Sequence, residues 1–192
     1  MSWAKNLVVP VLTVLCCTTI ATVAKADSFD QDVSQFISDE GTIIYLGTGI
    51  VLPLLLDGKN GKNQSLRVVD SLGTSLLVCE GLKAITDVQR PDSDERDSFP
   101  SCHATLAFTV ATMQSEFQPK YTLLWYAGAS AIAYSRVNLN RHRWTEVLAG
   151  AAIGYGIAKL ELSQPNGLLL FPIIGSDNEG GTIVGLQMSK SF

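Results

Sequence analysis

The sequence predicts an all-α protein, a bundle of about six helices followed by a C-terminal β-hairpin. Two observations lead to this prediction. Apolar residues between positions 28 and 162 recur at helical spacing in blocks that short polar joints separate. The last segment differs, because two apolar, β-prone runs flank a Gly-rich turn there. The 192 residues are enough for one domain with a sizeable core.

The N-terminal residues indicate a targeting segment. Lys5 precedes an apolar stretch, and Ala24-Lys25-Ala26 has the small-x-small pattern of a cleavage site. We therefore predict a signal peptide at 1–26 and an exported protein, periplasmic or secreted. The alternative is an uncleaved N-terminal anchor. Removing 1–26 takes away two lysines and no acids, so the formal net charge changes from −4 to −6.

After the signal peptide we predict a helical domain at 27–166 and a hairpin extension at 167–192. The expected helices are Ser28–Ser38, Thr42–Leu56, Leu66–Val88, His103–Phe117, Tyr121–Tyr134 and Thr145–Leu162. Asp57–Gly61 is an expected turn, and Pro91 stops the third helix. The stretch from Asp92 to Asp97 is expected to be a solvated acidic loop.

The hairpin strands are expected at Gly167–Ile174 and Thr182–Met188. Two strands alone are marginal in water, so they should lie on the helical body or pair with another chain.

The sequence argues against nucleic-acid binding and against a helix that spans a membrane. The mature sequence is acidic and has no basic run, which argues against nucleic acid. A spanning helix needs about 20 apolar residues. The uncharged runs at Thr42–Leu56, Tyr121–Tyr134 and Val147–Ala158 are shorter. These lengths favour a protein that is either soluble or peripherally attached to a membrane over an integral membrane protein.

Three short runs hold nearly all the candidate chemistry: Lys83 to Pro91, Phe99 to His103, and Ser135 to Glu146. Among their residues we single out one Lys, two Arg, one Ser, two His and one carboxylate as candidates. Such a set suits a phosphoryl group. Cations can bind its equatorial oxygens, one His can attack phosphorus, and the other can protonate the leaving group.

The order and spacing of these runs resemble the signature of the type 2 phosphatidic acid phosphatase and vanadium haloperoxidase superfamily. The pattern there is Lys, six residues, Arg-Pro, then Pro-Ser-Gly-His, then Ser-Arg, five residues, His, three residues, Asp. This chain has Cys102 at the Gly position and Glu146 at the Asp position. The resemblance covers about residues 66–160 and implies an all-α bundle with its site at one end.

The resemblance also implies a role for each matched residue. His142 would be the nucleophile that forms a phosphohistidine, His103 the general acid, and Glu146 the carboxylate that orients His142. The phosphate would be bound by Lys83, Arg90, Ser101, Arg136 and the backbone N–H of Cys102.

The two departures from the pattern affect geometry more than chemistry. A Cβ at Cys102 disfavours a positive φ. Glu146 is one methylene longer than Asp, so either the His142 ring must shift or the Glu must fold back.

Two cysteines, Cys79 and Cys102, lie in the predicted mature chain. In an oxidising compartment they could form a disulfide, and two buried thiols are equally consistent with the sequence. Cys79 lies one helical turn before Lys83. A disulfide beside the phosphate site is therefore one hypothesis.

We expect a metal-independent phosphatase that hydrolyses a phosphate or pyrophosphate ester, either a small molecule or a lipid phosphate. No cofactor or metal is expected, because both His residues already have roles and no metal-ligand or Gly-rich nucleotide motif is present. A vanadate-dependent haloperoxidase, which would use the same anion pocket, is one alternative. A non-catalytic phosphate-binding relative is the other, suggested by Cys102 and Glu146.

Overall fold

A computed structural model shows a mostly helical protein. The structure describes residues 30–164, 167, 171–176 and 182–187. The long helices are α1 (Asp30–Leu56), α2 (Gly58–Thr86), α3 (Cys102–Phe117), α4 (Thr122–Asn138) and α5 (Trp144–Ser163). A short 3-10 turn, Pro119–Tyr121, joins α3 to α4.

Two strands, β1 (Phe171–Ser176) and β2 (Thr182–Gln187), pair antiparallel, with Phe171 opposite Gln187 and Ser176 opposite Thr182. The turn of the predicted hairpin falls at 177–181, outside the described residues, and its packing against the helices stays a prediction. The boundaries of the predicted domains and the signal peptide also lie outside the described residues.

The first helix differs from the prediction. Ser28–Ser38 and Thr42–Leu56 were expected as two helices, but α1 is continuous over its described length and contains a π-helical turn at Ile37–Gly41. A π turn adds a residue to one turn and lets a helix continue with its side chains rotated about the axis. Gly41 has helical dihedral angles and therefore does not break the helix.

The predicted turn at Asp57–Gly61 is shorter than expected. The chain reverses at Asp57 and Gly58, and α2 begins at Gly58, which has a φ of +51°. Glycine adopts this left-handed conformation at no steric cost. The expected third helix is thus extended by about two turns at its start.

The helices run alternately up and down, and α3 is the central one. It packs against α1, α2, α4 and α5. The core around it includes Val68, Val110, Met113 and Ile132. The alternation brings the start of α1, the end of α2, the start of α3, the end of α4 and the start of α5 to one end of the bundle.

Two glycines of α5 allow it to lie close against α3. A Cβ at Gly154 would be 2.1 Å from the carbonyl oxygen of Thr105, and one at Gly150 would be 2.5 Å from that of Ser101. Small residues four apart allow such a close backbone approach. Because Ser101 immediately precedes α3, this contact fixes where α3 begins.

Several outward faces of the bundle are apolar. Large exposed apolar side chains include Ile43, Ile44, Leu55, Leu77, Ile85, Leu123, Leu124, Trp144 and Leu148. Within the described residues, α1 is long and apolar enough to cross a membrane by length and composition, and 17% of its apolar stretch is buried. The argument that the uncharged runs are too short to span a membrane does not apply to α1, because two predicted helices form one continuous helix there.

Candidate active site

The three sequence runs meet around a cavity of about 360 Å³ at one end of the bundle. Its polar wall is formed by Thr42 of α1, Glu80 of α2 and six residues of the three motifs, namely Lys83, Arg90, Cys102, His103, Arg136 and His142. These six residues belong to the end of α2, the loop after it, the start of α3, the end of α4 and the loop before α5. Segments distant in sequence therefore share one cavity.

His142 is held by a carboxylate. Its Nδ1 lies 3.1 Å from Oε2 of Glu146, and both residues are buried. Because an ionised carboxylate only accepts hydrogen bonds, Nδ1 carries the proton and Nε2 keeps its lone pair. This is the tautomer that a nucleophilic His needs.

Glu146 accommodates its extra methylene by folding back over the start of α5. Oε2 accepts hydrogen bonds from the Arg143 N–H (3.0 Å) and from Oγ of Ser98 (2.6 Å). Oε1 accepts one from the Arg143 guanidinium at 2.8 Å. The side chain thus forms a capping box and still reaches His142.

The charge of Glu146 is stabilised by these donors. Burial acts to raise its pKa, but the hydrogen bonds from Ser98, Arg143 and His142 together hold the pKa of Glu146 below its ordinary value. Glu146 is therefore ionised at neutral pH and able to stabilise a positive charge on His142.

Two buried donors at the site lack partners. Within the described part of the chain, neither Oγ of Ser101 nor Nε of Arg136 makes a hydrogen bond, although both atoms are buried. Buried polar groups are nearly always paired, because leaving them unpaired costs free energy. Arg136 lines the cavity, so an anion there would supply its missing acceptor, whereas Ser101 directly precedes the lining residue Cys102 and does not itself line the cavity.

Arg136 remains a cation despite its burial. Burial and the neighbouring charges of Arg141 and Arg90 lower the pKa of Arg136 to about 10. Its Nη1 donates a hydrogen bond to Oγ of Ser38 in α1. A guanidinium fixed at one end in this way can offer its remaining N–H groups to phosphoryl oxygens.

His103 lies in the first turn of α3 and is half-buried. Burial, together with the positive charges of Arg136 and Lys83, lowers the pKa of His103 to about 4. Burial also lowers the pKa of His142, against the opposing hydrogen bond to Glu146. Both imidazoles are therefore neutral at pH 7, and a phosphoryl anion bound in the cavity would favour protonation of His103.

Lys83 and Arg90 line the cavity but already contact carboxylates. Nε and Nη2 of Arg90 donate to the two oxygens of Asp97 at 2.6 and 2.9 Å. Nζ of Lys83 lies 3.6 Å from Asp97 and 3.5 Å from Glu80. The hydrogen bond from Arg90 lowers the pKa of Asp97 to about 2. The acidic loop is thus partly structural, not simply solvated.

The structure contains a disulfide between Cys79 and Cys102, with their Cα atoms 5.7 Å apart. The alternative of two buried thiols is wrong.

Cys102 is the first residue of α3 and does not have a positive φ, which is found at Asp87 and Asn140 among the described non-Gly residues. The Cβ of Cys102 therefore imposes no strain of the kind expected.

Sequence reasoning missed three residues at the site: Ser38, Asp97 and Ser98. Asp97 and Ser98 directly precede the second motif, but their spacing from the motif residues does not indicate which side chains they contact. Ser38 lies in α1, outside every motif. No group of three or more His, Cys, Asp or Glu side chains is placed to hold a metal ion among the residues described.

Comparison with known proteins gives one family match and one curated relative. The family model of the PAP2 superfamily matches residues 64–168, more than half of the chain. The chain is 32% identical over 126 residues to the lipid A 1-phosphatase of Porphyromonas gingivalis. That alignment covers 57% of this chain and 28% of the relative, so the chain spans less than a third of that protein.

Two solved structures are similar. The crystal structure of Aquifex aeolicus LpxE matches with a TM-score of 0.52 and 21% identity, covering 69% of this chain and 94% of that one. A transmembrane PAP2 type phosphatidylglycerolphosphate phosphatase from Bacillus subtilis matches with a TM-score of 0.45 and 20% identity, covering 78% and 92%. The first similarity shows that the helical fold is shared.

Proposed function

Because the chain belongs to the PAP2 superfamily, we propose that it is a metal-independent phosphatase acting on a lipid-linked phosphate or pyrophosphate ester. One observation carries the proposal. His142, oriented by Glu146, opens onto a cation-walled cavity beside which a buried Ser101 hydroxyl and Arg136 N–H lack acceptors. A phosphoryl dianion fits this combination of donors and nucleophile.

In the proposed reaction Arg136, Lys83, Ser101 and the free N–H groups at the start of α3 bind the phosphoryl oxygens. Nε2 of His142 attacks phosphorus, and the bond to the leaving oxygen breaks as protonated His103 gives that oxygen a proton. Glu146 stabilises the phosphohistidine cation. The oxygen of a water molecule then attacks phosphorus, and neutral His103 takes a proton from that water. The bond between phosphorus and His142 breaks, which releases inorganic phosphate.

The shape of the cavity supports a lipid substrate. Part of its wall is apolar, formed by Ile43 and Leu46 of α1, Leu76 of α2 and Leu106 of α3. Ile43 is 73% exposed, so the apolar wall continues onto the outer surface. An acyl chain could lie against this wall while the phosphate reaches the cations. The curated relative, named a lipid A 1-phosphatase, supports the same substrate class.

We propose that the protein is exported and contacts a membrane, with its site outside the cytoplasm. The apolar outer side chains and the length of α1 support contact with a bilayer. The signal peptide at 1–26 is part of this proposal.

The contacts of Glu146 and the helical backbone at Cys102 favour an active enzyme over a non-catalytic relative. The carboxylate keeps its hydrogen-bonding distance to His142, and Cys102 leaves the start of α3 intact.

The test uses the full chain in detergent micelles with lipid phosphates, a lipid pyrophosphate and a soluble aryl phosphate, in the presence of a chelator. We expect phosphate release from the lipid substrates, and none from a His142→Ala variant with an unchanged circular dichroism spectrum. Absence of release from every ester by the folded wild-type protein would contradict the proposal. Halide oxidation with added vanadate would instead support a haloperoxidase.

A further inference from the structure

Arg136 is fixed at one end of its guanidinium group and open at the other. Nη1 donates to Oγ of Ser38, which is fully buried, whereas Nε has no partner among the residues described. In Arg90 the Nε–Nη2 edge forms the two-pronged contact with Asp97. Arg136 presents the same edge without a carboxylate on it, which suits two phosphoryl oxygens.

Ser38 owes its position to the π-helical turn of α1. It lies within Ile37–Gly41, and Oγ1 of Thr42 donates to the Ile37 carbonyl at 3.0 Å across that turn. Ser34, Ser38 and Thr42 are the buried hydroxyl residues of this part of α1. π turns are frequent at functional sites because they redirect a side chain without ending the helix.

A second contact ties this part of α1 to the end of α4. Nδ2 of Asn138 donates to Oγ of Ser34 at 2.9 Å and to Asp30 at 2.7 Å. Asn138 does not line the cavity, so this contact joins the two helices without reaching the phosphate site. Ser34 is therefore a natural control for Ser38.

The same helix also reaches the apolar wall. Thr42, Ile43 and Leu46 follow Ser38 along α1 and line the cavity. The family match begins at residue 64, so α1 lies outside the matched segment. One helix thus contacts the arginine proposed to bind phosphate and the surface proposed to receive a lipid chain.

We propose that Ser38 is a positioning residue for Arg136, and that α1, through Ser38, Ile43 and Leu46, sets the preference for lipid-linked over soluble phosphate esters. This inference rests on the proposed function. Ser38 acts on the phosphate, which all substrates share. Ile43 and Leu46 act on the acyl chain, which only lipid substrates have.

The first experiment compares Ser38→Ala with Ser34→Ala in the full chain, using inorganic phosphate as a competitive inhibitor. Losing one hydrogen bond to a charged group costs about 1.5–3 kcal/mol, or about 10- to 150-fold. We expect Ser38→Ala to weaken phosphate inhibition and raise KM for lipid and soluble esters alike. Ser34→Ala should leave the inhibition constant within about twofold of wild type. Equal effects of the two variants would overturn the positioning role.

A double-mutant cycle tests whether Ser38 acts through Arg136. In an Arg136→Lys background, Ser38→Ala should weaken phosphate inhibition no further. Independent, multiplicative effects would overturn the inference. If Ser38→Ala melts below the assay temperature, Ser38→Cys replaces it, since a thiol has similar size but accepts hydrogen bonds weakly.

The experiment that tests the preference for lipid substrates uses the variants Ile43→Ala and Leu46→Ala. We expect each to raise KM for a lipid phosphate several-fold and to leave KM for an aryl phosphate unchanged. Equal changes for both substrates would overturn the role of α1 in specificity.

Failure of the proposed function has a different signature. The wild-type protein would then release no phosphate from any ester, while inorganic phosphate would still raise its melting temperature. The Ser38 and Ser34 variants can then be compared by that thermal shift, with the same expectation. A wild-type protein that inorganic phosphate does not stabilise would overturn the inference itself.

Discussion

Ser98 donates a 2.6 Å hydrogen bond to Glu146, the carboxylate that also accepts from His142. Ser98 and Glu146 are both buried, so this bond is shielded from water. It joins the loop before α3 to the first turn of α5, two segments that approach only in the folded protein. The orientation of His142, the proposed nucleophile, therefore depends on a serine that lies outside the three sequence motifs.

We expect Ser98→Ala to lower kcat by about 10-fold or more, because a hydrogen bond to an ionised carboxylate is worth about 1.5–3 kcal/mol. The pKa of Glu146 should rise, since Ser98 is one of the donors that lower it. The measurement is kcat on a soluble aryl phosphate. Ser93→Ala, an exposed serine in the same loop, serves as the control. A kcat unchanged in Ser98→Ala would argue against the role of Ser98.

The stability of the protein should decrease in acid because of His103. Its pKa is about 4 in the fold and 6.5 unperturbed. Between these values the unfolded chain binds a proton that the folded site does not. The free energy of unfolding should therefore fall as pH drops from about 6.5 to about 4, by on the order of 2 kcal/mol.

Melting curves at fixed ionic strength measure this effect. His103→Asn should show a shallower decrease in melting temperature over the same pH interval than the wild type. Saturating inorganic phosphate should also reduce the decrease, since the anion favours protonated His103. Parallel wild-type and variant curves would exclude His103 as the source.

Reduction of the disulfide should destabilise the protein. The loop between Cys79 and Cys102 has a sequence separation of 23, for which chain entropy predicts about 3 kcal/mol. The bond also ties α2, which carries Lys83, to the first residue of α3, so phosphatase activity should decrease with it. The double variant Cys79→Ser with Cys102→Gly is the control, and reductant should change neither its melting temperature nor its activity. A wild-type melting temperature that does not respond to reductant would contradict this prediction.

Gly154→Ala should destabilise the bundle strongly. The added methyl would lie 2.1 Å from the Thr105 carbonyl, so α5 would have to move away from α3. We expect a loss of at least about 2 kcal/mol. Gly156→Ala, two residues along the same helix, has open space at the added Cβ. It should be neutral or stabilising by up to about 1 kcal/mol. Chemical denaturation of the two variants measures the difference, and equal values would be inconsistent with the close packing.

Much of the fold and of the site could be predicted because the signals are local. The apolar spacing predicted helices at α2 to α5, and the residue types at fixed intervals around His103 and His142 indicated phosphate chemistry. These features depend on neighbours within one or two helical turns, so the amino-acid order alone carries them. Family membership follows from the same local patterns.

The remaining features of the fold and of the site depend on contacts between segments that are distant in the sequence. The contacts of Ser38 with Arg136, of Asp97 with Arg90 and of Ser98 with Glu146 each join different elements, and no spacing rule relates their members. The continuity of α1 was missed because a π turn lets Gly41 stay helical. The sequence by itself determined the residues that can bind and attack a phosphoryl group. Only the tertiary structure decided which buried donors lack acceptors and which side chains hold the others in place, because packing and burial are properties of the folded chain.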